Sequence, residues 1–182
     1  VSPQMQAALN HYTSRREEFP LQQTYMRNGV EQHQGISDDD AFEGQASALW
    51  TSSPGSRWQR AKRPQLEWMI AQIRDVIESH PDHGQRRLQI VDVGGGKGYL
   101  ANLVAEQLSD VVDVRVVDIS ARAINNGMMR ARRRNLENIE YNAGDATAVD
   151  MAGVDLVVAL HACGALSDVA IGHAVANGAA FV

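Results

Sequence analysis

Leu88-Gln-Ile-Val-Asp-Val-Gly-Gly-Gly-Lys-Gly-Tyr-Leu-Ala-Asn-Leu-Val104 decides the fold, because it reads as a buried strand, a glycine turn and the opening of a helix. Leu88, Ile90, Val91 and Val93 make the apolar run of a central strand in a parallel sheet, whereas Leu100, Leu103, Val104 and Leu108 recur at helical spacing. Between them, Gly94, Gly95, Gly96 and Gly98 lack the side chains that would keep a ligand off the main chain, and the amides at a helix start favour a negative group. A dinucleotide turn requires a further glycine three positions after Gly96, where this chain has Tyr99, so a pyrophosphate ligand is disfavoured. Asp92, two residues before the first glycine, points the same way. Its carboxylate repels a phosphate and suits a ligand that carries an ammonium and a sulfonium.

Outward from this turn, strand and helix patterns alternate. On the N-terminal side, Gln65 to about His80 places Leu66, Met69, Ile70, Ile73, Val76 and Ile77 on one helical face behind Pro64, and Pro81-Asp82-His83-Gly84 turns into the first strand, with His80 and His83 read as loop histidines. On the C-terminal side, Val111 to Ile119 reads as a second strand ending at Asp118, and Ser120 caps a helix over roughly Ala121 to Asn135. Arg130, Arg132, Arg133 and Arg134 crowd the end of that helix, where cations complement its dipole. A third strand starts at Ile139 and turns at Gly144-Asp145-Ala146; a fourth spans Val154 to Leu160. Next come His161-Ala-Cys163-Gly164, Asp168 and a helix to about Asn177, with Gly178 as its stop and a fifth strand from Ala179. This alternation predicts an α/β fold, a doubly wound Rossmann-like parallel sheet whose ligand sites lie at the carboxyl ends of the strands. The turn at Gly94 to Gly98, Asp118, Asp145 and His161 all fall at those ends. Asp118 stands where a carboxylate accepts both hydroxyls of a ribose.

The 182 residues suffice for one domain, expected over 56–182, and an extension over 1–55. The extension is polar and glutamine-rich, contains Asp38-Asp39-Asp40, and reads either as a mobile segment or as two short helices, one near Pro3 to Glu18 and one after Ser37 ending near Trp50. Ser52-Ser53-Pro54-Gly55-Ser56 reads as a linker. A net charge of -5 argues against a wholesale nucleic-acid coat, yet residues 56–90 hold 7 Lys/Arg against 4 Asp/Glu. The surplus centres on Arg57, Trp58, Arg60, Lys62 and Arg63, which read either as a solvated charge run or as a phosphate-contacting edge with an indole for stacking. One cysteine, Cys163, excludes an internal disulfide framework and fits a reducing compartment, cytoplasmic or nuclear. There is no apolar run of about 18 residues to span a bilayer.

From residue 57 to 182 the sequence resembles the class I S-adenosylmethionine-dependent methyltransferases, and within them the methyltransferase-like group that includes the glutathione-S-transferase C-terminal-domain-containing protein. The residues that carry the resemblance are Arg60-x-Lys62-Arg63-Pro64-Gln65, Val91-Asp-Val-Gly-Gly-Gly-Lys-Gly-Tyr-Leu100, and Leu160-His-Ala-Cys-Gly164 with Asp168. It implies S-adenosyl-L-methionine as cofactor, held by Asp92, Gly94, Gly95, Gly96, Gly98, Asp118 and Ile119. It further implies that Asp145 accepts from the adenine amino group while the Ala146 amide donates to the ring. No glutathione-transferase-like segment is present. Such relatives continue past strand 5 with a cysteine-containing loop and two more strands. Because the chain starts at Val1 and stops at Val182 inside an expected strand, a core cut short after strand 5 is expected.

Amine-methylating members of the class carry Asn or Asp and two prolines after strand 4; this chain has His161-Ala162-Cys163-Gly164 there, which disfavours an exocyclic-amine acceptor. His161, with an ordinary pKa of roughly 6.5, reads as the catalytic residue, a general base or an orienter of the acceptor, against a residue that only packs on the cofactor region. Cys163 reads as a small buried residue beside a tight turn rather than as a nucleophile for pyrimidine C5. Lys97 points to solvent or to the acceptor, and Asp168 is a helix-start or a catalytic residue. His161-x-Cys163 is too small a set for a zinc site, so no metal is expected. Methyl transfer leads, ahead of a non-catalytic domain that binds the cofactor or a partner; Tyr99 speaks against a nicotinamide-dependent oxidoreductase. RNA is preferred to protein as acceptor, on the basic cluster and on RNA-modifying relatives.

Overall fold

A computed structural model describes the backbone at residues 24–27 and 30–33 and the whole of residues 62–182. The helices expected in the extension, the linker, and Arg57, Trp58 and Arg60 lie outside the described residues. β1 (Thr24–Arg27) and β2 (Val30–His33) pair antiparallel, with Arg27 opposite Val30 and Thr24 opposite His33. This strand pair was not expected from the sequence; Asn28-Gly29, which separates the two strands in the chain, is a pair favoured in two-residue hairpin loops.

Residues 66–182 belong to a separate compact unit. In chain order its elements are α1 (Arg63–Ser79), β3 (Leu88–Val93), α2 (Tyr99–Gln107), β4 (Val112–Asp118), α3 (Ala121–Arg133), β5 (Ile139–Ala143), a 3-10 turn (Ala146–Ala148), β6 (Leu156–Val158), α4 (Ala165–Asn177) and β7 (Ala180–Phe181). The strands lie in the order β5-β4-β3-β6-β7, every pair parallel. The chain therefore leaves β3 toward one edge of the sheet and later returns to its other side. The point of reversal, at the carboxyl end of β3, is where open α/β sheets leave a crevice.

Successive residues of a strand face opposite sides of the sheet. Val91 and Val93 join Val117, Val157, Ala170 and Ala174 in the core under α4, and by alternation Leu88 and Ile90, also fully buried, take the other face. In α1 five of the six residues expected inside, Leu66, Met69, Ile70, Ile73 and Ile77, are buried, and Val76 is only half-buried. At the amino ends of the strands, Arg86 grips Asp155 with Nη1 to Oδ2 at 2.8 Å and Nη2 to Oδ1 at 2.7 Å, while the Gln89 amide donates to the same carboxylate at 2.8 Å. Arg86 thereby holds the Asp155 carboxyl below its ordinary pKa. β6 is shorter than the stretch Val154 to Leu160 expected from apolarity, because Val154 closes a turn onto the Met151 carbonyl and the chain leaves the sheet before His161. No helix among the described residues is long and apolar enough to cross a membrane.

Candidate functional site

The Gly94 amide donates to the Val117 carbonyl at 2.8 Å and carries the β3–β4 ladder one residue past the strand, after which the turn begins. Gly95 is required by space: a Cβ there would lie 2.5 Å from Asp92 Oδ2 and 2.8 Å from Val116 Cγ1. Gly96 is different. It has φ +55, and among the described residues a Cβ there would meet only Asp118 Oδ2, at 3.8 Å. Bare backbone with open space beside a carboxylate is the form that a ligand-approach position takes.

Asp92 lies beneath the turn rather than at the surface of the crevice. It is 3% exposed with Gly95 over it, and burial, then the charge of Asp118, push its carboxyl up to about 7. Asp118 is half-buried at the end of β4; Oδ2 accepts from the Gly96 amide at 2.9 Å and Oδ1 from the Ser120 amide at 2.8 Å. A carboxylate offers about four lone-pair sites, so each oxygen keeps acceptor capacity. Ser120 caps α3 as expected, its hydroxyl accepting from the Ala123 amide at 3.2 Å. Ile119, between them in the chain, is exposed.

The Gly144 amide donates to the Asp118 carbonyl at 2.9 Å, which brings the turn after β5 beside the end of β4. There Asp145 Oδ1 accepts from the Thr147 amide at 3.0 Å and the Thr147 hydroxyl at 2.9 Å, and so caps the 3-10 turn that begins at Ala146. The Ala146 carbonyl is tied to Nε2 of His173 at 2.7 Å, from within α4. His173 is buried and was not singled out by the sequence, in which nothing distinguishes it from a surface histidine of a helix.

His161 is exposed on the loop from β6 to α4 and has φ +64, a left-handed conformation uncommon for a residue with a side chain. Cys163 is exposed, which corrects the expectation that it is buried. The physical reason is local: His161 and Gly164, both at positive φ, turn the chain out of the sheet before α4 begins. Ser167 closes the loop, its hydroxyl donating to the Ala162 carbonyl and its amide to the Gly164 carbonyl. Asp168 is exposed in the first turn of α4. Of the basic cluster, Lys62 is exposed and Arg63 opens α1.

Direct bonds thus unite the turn, Asp118 and the segment at Asp145 and Ala146, and Leu166 of α4 abuts Gly94, where a Cβ would lie 2.7 Å from its Cδ2. His161 occupies the next loop along the same edge. Sequence reading missed a second layer behind the turn: Tyr141, Asn102, Gly127 and the buried Arg130. Burial pushes the Tyr141 hydroxyl well above its ordinary pKa.

Residues 61–182 match a family model described as a methyltransferase domain. No curated protein matches the sequence. Among solved structures, magnesium protoporphyrin IX methyltransferase from Synechocystis PCC 6803 with bound SAM is similar with a TM-score of 0.54 and 14% identity, over 75% of this chain and 66% of that chain. The same enzyme with bound SAH is similar with a TM-score of 0.53 and 15% identity, over 76% and 64%. Coclaurine N-methyltransferase bound to N-methylheliamine and SAH has a TM-score of 0.43 at 23% identity, over 52% and 26%. The chain therefore spans between 26% and 66% of the length of these structures. The likeness to the Synechocystis enzyme is one of fold: the five-stranded parallel sheet with flanking helices is the Rossmann-like class I methyltransferase fold.

Proposed function

The chain belongs to the methyltransferase-domain family matched over residues 61–182, and on that premise we propose that it binds S-adenosyl-L-methionine at the glycine turn and transfers the methyl group, to RNA in preference to protein. The observation that carries the reading is the open backbone at Gly96 joined to the Asp118 carboxylate. Asp118 would accept the ribose hydroxyls with its remaining lone pairs, Ile119 would flank the adenine, and Asp145 with the Ala146 amide would read the adenine edge. Asp92, its carboxyl pushed up to about 7, would, once ionised above that pH, place negative charge under a ligand that carries an ammonium. A nicotinamide dinucleotide fits less well, since Tyr99 stands where its turn needs glycine and is covered by Arg130, 4.1 Å from the ring centre.

The cofactor, when bound, supplies an electrophilic methyl group on a sulfonium. The protein's share is then alignment of the acceptor and, for a hydroxyl or acidic acceptor, removal of a proton. His161 is assigned to that role, supported by its exposure at the carboxyl edge and by its left-handed backbone, since strain of this kind costs about 1–3 kcal/mol and concentrates at functional sites. The RNA assignment rests on Arg57, Trp58, Arg60, Lys62 and Arg63, a charge run with an indole. A reducing compartment, cytoplasmic or nuclear, is proposed from the single cysteine.

Calorimetric titration of the full chain with S-adenosylmethionine, its demethylated product and NAD tests the cofactor; the first two should bind and NAD should not. Labelled S-adenosylmethionine incubated with separated RNA and protein fractions tests the acceptor. Label should enter RNA, and His161→Ala should slow its transfer by about 100-fold or more. Label in protein alone would sink the RNA assignment, an equal rate from the variant would remove His161 from the mechanism, and no label in either fraction would favour a binding-only domain.

A further inference from the structure

We propose that Arg130 is the positioning residue of the glycine turn: from α3 it holds the Lys97 carbonyl and so sets the main-chain surface offered to a ligand, a consequence for cofactor binding that rests on the function proposed above.

Four arginines fall within residues 130–134, and they have different fates. Arg132 and Arg133 are exposed, and Arg134 pairs with Glu106 at 2.9 Å. Arg130 alone turns inward; it is 8% exposed, donates from Nη1 to the Lys97 carbonyl at 2.7 Å, and lies over the Tyr99 ring with its carbon 4.1 Å from the centroid. Complementing the helix dipole does not require burial, which for a guanidinium is costly unless donors find acceptors. The inward placement therefore has another physical cause, and the carbonyl it meets identifies it.

Lys97 immediately precedes Gly98, the residue that starts α2 with φ +64 and no side-chain cap. Its carbonyl precedes the helical ladder, in which the Gly98 carbonyl accepts from the Asn102 amide at 2.9 Å. Arg130 donates to the Lys97 carbonyl from α3, across 33 positions of the chain. The next carbonyl is held as well: Asn102 Nδ2 donates to the Gly98 carbonyl at 2.6 Å and to the Tyr141 hydroxyl at 2.5 Å. A peptide unit is planar, so fixing the carbonyls of Lys97 and Gly98 fixes the directions of the following amides, those of Gly98 and Tyr99. The first of these closes the turn onto the Gly95 carbonyl at 2.8 Å.

Steric fit reinforces the bonds. A Cβ on Gly98 would overlap the Tyr141 hydroxyl, and one on Gly127 would overlap the Tyr141 ring and lie 3.0 Å from the Lys97 carbonyl oxygen. The exit of the turn is thus gripped between α3 and β5, with Arg130 and Tyr141 as the two jaws. Charge makes Arg130 the stronger hold, because a charged donor forms a stronger hydrogen bond than a neutral one.

The test compares the full chain with Arg130→Met, Arg130→Lys and Tyr99→Leu, the last loosening the guanidinium's support without touching its hydrogen bond. Amide hydrogen exchange without ligand is read separately over residues 95–99 and over β3 and β4, and affinity for S-adenosylhomocysteine is read by calorimetry. Arg130→Met should speed exchange in the turn at least about tenfold while β3 and β4 keep their protection, and should weaken S-adenosylhomocysteine binding by about 10- to 100-fold. Arg130→Lys, which keeps a donor, should recover part of both losses; Tyr99→Leu should show the same pattern more mildly and remains informative if Arg130→Met does not fold. Unchanged turn exchange in the folded variants, or loss spread equally over β3 and β4, would overturn the proposal. If the unaltered chain fails to bind S-adenosylhomocysteine while Arg130→Met still loosens the turn, the cofactor reading falls and the positioning role stands.

Discussion

Asp92 is a carboxyl group that folding makes a weaker acid, pushed up to about 7 by burial and then by the charge of Asp118, against roughly 3.9 in an unfolded chain. Between about pH 4 and about 7 the unfolded state has released a proton that the folded state keeps, so stability falls as pH rises through that window and levels off above it. We expect urea unfolding to show the chain a few kcal/mol less stable at pH 8 than at pH 5 from this group, and Asp92→Asn to remove that difference; an unchanged slope in the variant would place its origin elsewhere. Above about pH 7 the same variant should bind S-adenosylmethionine more weakly, having lost the charge that Asp92 carries there under the turn. The position of Asp92 two residues before Gly94 was legible in the sequence. Its protonation was not, because that depends on burial beneath Gly95 and on Asp118, which belongs to another strand.

At the scale of the element, α3 sets local preference against packing. Replacing Gly127 by alanine within this helix should stabilise it by about 1 kcal/mol on intrinsic propensity. The added methyl would instead strike the Tyr141 ring and crowd the Lys97 carbonyl, an overpacking cost of about 1–3 kcal/mol. Packing should win. Gly127→Ala is expected to lower the urea midpoint in the native background and to lose most of its cost in a Tyr141→Ala background, a coupling that a double-mutant cycle measures. Equal effects in the two backgrounds would show that the tyrosine is not what excludes the methyl. The helix itself was predictable from its Ser120 cap, and it ends at Arg133 rather than Asn135 because the chain turns left-handed at Asn135, φ +54. That its last turn sends one arginine into the interior was not predictable, since all four arginines present the same local pattern.

For the whole molecule, a ligand that binds only the folded state raises its apparent stability by mass action. S-adenosylhomocysteine at 100 times its dissociation constant should contribute about 2.7 kcal/mol, a rise in melting temperature on the order of 10 °C for a unit of this size. NAD should leave the melting temperature unchanged; a thermal melt followed by circular dichroism distinguishes them, and the reverse pattern would point to a dinucleotide site. By itself the sequence determined the order of strands and helices, the parallel sheet and the line of polar residues at its carboxyl ends. Those features follow from apolar period, glycines and caps, all of which act within a few neighbouring residues. Only the tertiary structure decided that Cys163 faces solvent, that Asp92 lies under Gly95, and that Arg130 and Tyr141 close on the turn. Arg130 meets Lys97 across 33 positions and Asn102 meets Tyr141 across 39, so these contacts come into being when β4, β5 and α3 pack, a distance in sequence over which no local pattern carries information.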